Sequence, residues 1–102
     1  MSKILSLDTS SKITGYAIFN DGELIQYSSI DKSNIKDGDE RMRDMVQCLI
    51  ALIEREAPDD VVIEETVVTR NPQTQRMLSM ILGVVFGVCV TNHFNYCSLR
   101  PT

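Results

Sequence analysis

Apolar and polar positions alternate along the first thirty residues in the manner of strands. Ile4 to Leu7 is a short apolar run that stops at Asp8-Thr9-Ser10-Ser11, and it reads as a strand ending in a turn. A second strand is expected over Ile13 to Phe19. It runs into Asn20-Asp21-Gly22, residues that tolerate positive φ, and the alternation resumes from Glu23 to Ser29, so the two segments form a β-hairpin. Asp31 to Asp39 is polar, contains Gly38 and has no period, which predicts a surface loop.

From about Glu40 to Glu56 the period changes. Met42, Met45, Val46, Leu49, Ile50, Leu52 and Ile53 recur three and four residues apart, one wide apolar stripe of an amphipathic helix. Pro58-Asp59-Asp60 ends it. Val61-Val62-Ile63 is β-branched and too short for a helix, and suits the buried centre of a sheet. It leads directly to Glu64 and Glu65. After a loop from Thr66 to Asn71, Pro72 suits a first helical position, and the pattern from Gln73 to about Thr91 predicts a long helix. That helix contains Gly83 and Gly87, a spacing expected to let it approach its own sheet, with a dimer contact as the alternative. Cys97 to Leu99 begins a fifth strand. The order predicts an α/β fold, a single domain over residues 1–102 built around a mixed sheet with flanking helices.

Composition narrows the class. With 102 residues, 43% of them hydrophobic, the chain can bury one core, roughly 65% of the surface its unfolded form exposes. No uninterrupted apolar run reaches the roughly 18 residues of a membrane span, and Met1-Ser2-Lys3-Ile4 enters a strand without a leader pattern. A soluble cytoplasmic protein with no membrane partner is expected. The three cysteines lack a C-x-x-C pair and are read as reduced thiols. Cys89, His93 and Cys97 are spaced four apart, but the helix should end near Asn92, which disfavours a zinc site and makes His93 a C-terminal residue favoured by the helix dipole. A net charge of −4 argues against a nucleic-acid surface unless charge is segregated. Lys3, Lys12, Arg70, Arg76 and Arg100 along one edge, with acid in a distant loop over Asp31 to Glu40, would achieve that.

The residues with chemistry are carboxylates at strand ends. Asp8 and either Glu64 or Glu65 each follow a strand placed near the sheet's centre, and side-by-side strands would project them into one crevice. Carboxylates so gathered repel unless a divalent cation such as Mg²⁺ or Mn²⁺ neutralises them. Strand side chains alternate, so only one of the two glutamates can join Asp8, and the pattern does not say which. Asp8 before Thr-Ser is also an ordinary turn-forming sequence. Thr9, Lys12, Arg70, Asn71 and Arg76 surround these strand ends and the helix start, and are candidate phosphate contacts.

Ile4-Leu5-Ser6-Leu7-Asp8-Thr9-Ser10-Ser11-Lys12-Ile13-Thr14-Gly15-Tyr16-Ala17 resembles the opening strand, catalytic Asp and Thr-Gly-Tyr strand of the RuvC family of Holliday-junction resolvases. Val62-Ile63-Glu64-Glu65, then Thr69-Arg70-Asn71 and Leu82-Gly83-Val84, resembles that family's second motif, about fifty-five residues on. The resemblance implies an RNase H-like fold and a metal-dependent endonuclease that acts as a homodimer on branched DNA by two-metal phosphodiester hydrolysis. It places the catalytic and metal-binding pair on Asp8 and Glu64. Two departures bear on activity. Val67 stands where the family usually carries an aromatic wedge, and the family's remaining carboxylates lie on a helix nearer the C-terminus than Thr102. The chain is therefore expected to be the N-terminal two-thirds of a phage-type member, inactive alone, with an apolar patch on one face that self-association buries. Two other readings stay open: an actin-like ATPase or tRNA-modification-partner lobe, whose further Gly-rich motif is missing here, and an inactive RNase H-like interaction domain.

Overall fold

Backbone chemistry at the turns and caps sets the elements. In the computed structural model, which describes residues 2–64 and 71–99, β1 (Lys3–Asp8), β2 (Ile13–Asn20) and β3 (Glu23–Asp31) form the expected meander. Asp21 and Gly22 have φ of 52° and 82° between the paired Asn20 and Glu23, the two-residue hairpin whose positive φ values match the strand twist. Helix α1 (Gly38–Glu56) begins ahead of its apolar stripe because Asp37 caps it, accepting from the Asp39 N–H at 3.2 Å. It ends where Ala57 turns left-handed at φ 43° and Pro58 follows. β4 (Asp60–Glu64), α2 (Pro72–Asn92) and β5 (Asn95–Leu99) complete the chain.

The strands lie in the order β3-β2-β1-β4-β5. β1 is antiparallel to β2 but parallel to β4, and β4 is parallel to β5, so the sheet is mixed as expected. Leu5, Leu7, Ile18, Val61 and Ile63 point to one face and pack on Met45, Leu49 and Ile53 of α1 and Ile81, Val85 and Cys89 of α2. Full burial of each such aliphatic contributes about 1.5–3 kcal/mol. On the opposite face Ile4, Ala17, Phe19 and Val62 are only half-buried and Leu99 is exposed. The same face carries Asp8 and Glu64.

Two expectations are corrected. Gly83 and Gly87 do not bring α2 onto the sheet: a Cβ at either would meet nothing within 4 Å, and Met80, Phe86 and Val90 on the same outward side are about half exposed. The glycine side of the helix faces away from the core that Ile81, Val85 and Cys89 enter. By length and composition α2 would pass for a membrane span, with a mean hydropathy of 1.5 but only 22% of that stretch buried; its apolarity serves two faces at once. Charge is also not segregated as expected. Lys3 sits at the start of β1, away from Asp8, and pairs with Glu56 at 3.0 Å. Nor is the acidic segment distant, since Asp31 lies opposite Ile13 and the Lys32 N–H donates to the Lys12 carbonyl at 2.7 Å.

Candidate active site

Asp8 and Glu64 are register partners at the C-terminal ends of β1 and β4. The preceding pair, Leu7 and Ile63, is fully buried beneath the helices. Pleating turns the next pair to the opposite, open face, on strands about 4.8 Å apart. Both carboxylate side chains are exposed there. On the β2 side Asp8 pairs with Gly15, which brings no side chain beside it and around whose absent Cβ there is nothing within 4 Å. Asp60 is excluded from the pair: it lies beside Ile4, at the other end of β4.

The turn after Asp8 is anchored to the core. Ser10 Oγ accepts the Lys12 and Ile13 N–H groups at 3.1 and 3.0 Å. The buried Thr14 hydroxyl accepts the Ser10 N–H at 3.4 Å and lies 3.2 Å from the Ser10 carbonyl and 3.3 Å from Met45 Sδ. In the sequence Thr14 and Gly15 stood only as part of the Thr-Gly-Tyr strand; the packing shows what each does, Thr14 anchoring the turn and Gly15 leaving space beside Asp8.

The remaining candidates divide. Lys12 and Arg76 are exposed, Arg76 on a cavity it shares with Asp39, Met42 and Met80. Asn71 Oδ1 accepts the Gln73 and Thr74 N–H groups at 3.0 and 3.3 Å, so its carbonyl serves as the cap of α2. Thr9 is 2% exposed, and a side chain so covered offers no surface to a phosphate. Arg70 and Glu65 lie outside the described residues. Among the described residues no group of three or more His, Cys, Asp and Glu could hold a metal, which includes Cys89, His93 and Cys97. Burial pushes the Cys89 thiol up, while His93 caps α2 in a left-handed conformation with its N–H turned back to the helix.

A mixed five-stranded sheet in this order, with its two helices on one face, has the RNase H-like fold of the resolvases it superposes on. The family model for crossover junction endodeoxyribonuclease RuvC matches residues 4–101, and the chain belongs to that family. It is 30% identical over 93 residues to the RuvC of Halorhodospira halophila, covering 88% of this chain and 56% of that protein. The RuvC of Marinobacter nauticus is 32% identical over 88 residues, covering 81% and 49%. The structure of Thermus thermophilus RuvC in complex with Holliday junction substrate superposes with a TM-score of 0.80 at 14% identity, covering 99% of this chain and 66% of that one. The chain thus spans about half the length of the curated relatives it matches. The ATPase and tRNA-modification readings give way to RuvC membership.

Proposed function

We propose that this chain carries half of the catalytic centre of a metal-dependent endonuclease that resolves Holliday junctions by phosphodiester hydrolysis, with Asp8 and Glu64 as its catalytic metal ligands. The observation that carries this reading is the register pairing of the two residues on the exposed sheet face. The donor set fits: two adjacent hard anionic oxygen donors, neither ion-paired among the described residues, suit Mg²⁺ or Mn²⁺. Two such ions, when bound, neutralise charge on the phosphate and lower the pKa of water. The chain's own contribution is to hold the carboxylates at the exposed ends of the two central strands, where a nucleic-acid backbone can reach them, with Gly15 leaving room beside Asp8. Lys12, Arg70, Asn71 and Arg76 supply backbone contacts. Thr9 is omitted because it is buried.

The active form is a homodimer joined through the outward stripe of α2 rather than through the open sheet face. A copy on the sheet face would cover Asp8 and Glu64. A copy on Met80, Gly83, Gly87 and Val90 leaves both sites accessible, and glycines whose added Cβ would meet no described residue outside the helix within 4 Å allow close helix approach. A cytoplasmic location fits a DNA substrate.

Labelled four-way junction tests the reading. The chain should bind it in preference to linear duplex, and Asp8→Asn and Glu64→Gln should bind as well or better, because each removes charge that repels phosphate. With only part of the ligand set that the family resemblance implies, these 102 residues should give no nicks above background with Mn²⁺. Nicking by the chain alone would bring Glu65 into the set, and absence of any preference for branched DNA would overturn the reading.

A further inference from the structure

A cavity of about 660 Å³ lies between the β1–β2 turn and the starts of both helices. Ser11 and Lys12 line it from the turn, Gly38 and Arg41 from α1, and Gln73 and Thr74 from α2; among the described residues no carboxylate lines it. In a chain of net charge −4 that is an unusual concentration of positive charge.

Both cations lack an acidic partner among the described residues, whereas Lys3, Arg43 and Arg55 are each ion-paired. Arg41 is held in place: Nη1 donates to the Ile35 carbonyl at 3.1 Å, and Nε is buried without a partner. Of the acids close to it in the chain, Asp37 caps α1 and Asp39 pairs with Arg43 at 3.0 Å. Gly38 keeps the cavity open beside the guanidinium, since a Cβ there would lie 3.2 Å from Met77 Cε and 3.8 Å from Arg41 Nη2. A guanidinium with free donors, a lysine and polar groups from three elements, converging with no counter-charge among the described residues, match a phosphate.

We propose that this cavity is a phosphate subsite that takes one backbone phosphodiester of the bound DNA, held by Arg41 Nη2 and Lys12 Nζ. The proposal rests on the resolvase reading and names a contact within it. Its position agrees: Ser10 and Lys12 follow Asp8 in the chain, and α2 begins after the segment that leaves Glu64. The carboxylates and the cavity therefore lie at the same end of the sheet, where β1 runs into the turn that carries Lys12.

Binding of a fluorescent four-way junction, measured by anisotropy across a KCl series, tests the subsite. Arg41→Gln and Lys12→Gln should each weaken binding about fivefold at roughly 100 mM salt and reduce the slope of log K against log salt by about one unit. Arg55→Gln, at the far end of α1, should leave the slope as in the wild type. Arg41→Lys should keep the slope, because it keeps the charge. If Arg41→Gln melts early for loss of its Ile35 bond, Lys12→Gln decides, since Lys12 is exposed at a turn. Wild-type slopes in both glutamine variants would overturn the subsite and leave the resolvase reading standing. A wild-type chain that binds no junction would overturn both.

Discussion

Asp8 and Glu64 stand opposite each other across parallel strands, one residue beyond the fully buried pair Leu7 and Ile63. The buried pair sets the pleat, and the pleat turns both carboxylates to the same face. Two anions so placed repel until a cation lies between them. Mn²⁺ should therefore raise the melting temperature of the wild-type chain in a concentration-dependent way. Asp8→Asn and Glu64→Gln should each melt no lower than wild type without metal and lose the response to Mn²⁺. A variant that keeps the full shift removes its residue from the ligand set.

The outward side of α2 predicts the oligomeric state. Val90 is 57% exposed and its replacement removes no core contact. Val90→Glu should convert a dimer to a monomer by light scattering at micromolar concentration, with helix content unchanged. Tyr27→Glu, on the open sheet face, should stay dimeric. The reverse result would move the interface to the sheet.

Lys3 and Glu56 tie the start of β1 to the end of α1 at 3.0 Å. The Lys3 hydrogen bond, first among the causes, holds the Glu56 carboxyl below its ordinary value of 4.5, against a partial burial that raises it. A depressed folded-state value means stability present above the ordinary carboxylate pKa and lost as pH falls through the lower folded one. Lys3 is one-third exposed, so solvent screening keeps the contribution to about 0.5–1 kcal/mol. Urea melts should show Glu56→Gln less stable than wild type at pH 7, with the difference shrinking as the pH falls below 4.5. A difference that persists at low pH would assign it to packing instead.

Much of the molecule was legible from short stretches of chain. Asn20-Asp21-Gly22 announced the hairpin, the stripe from Met42 to Ile53 announced α1, and Pro58 and Pro72 marked where one helix ends and the next begins. These depend on φ preferences, caps and periods that act within about four residues, so the sequence carries them directly. The candidate pair was legible too, as two carboxylates at strand ends.

What needed the tertiary structure were relations between residues far apart in the chain. Glu64 partners Asp8 because β4 docks parallel to β1 in one register, which no local pattern specifies. Lys3 belongs to Glu56 instead of to the site, Thr9 is buried, and Arg41 joins Lys12 across a cavity, because strand pairing and helix docking decide which charges meet and which side chains lose solvent. The same holds for Gly83 and Gly87: the spacing was visible, but the side of α2 that meets the core depends on how Ile81, Val85 and Cys89 fill the space above β1 and β4. Local chemistry determined the elements and their ends, while the packing of one element on another determined which residues share a site.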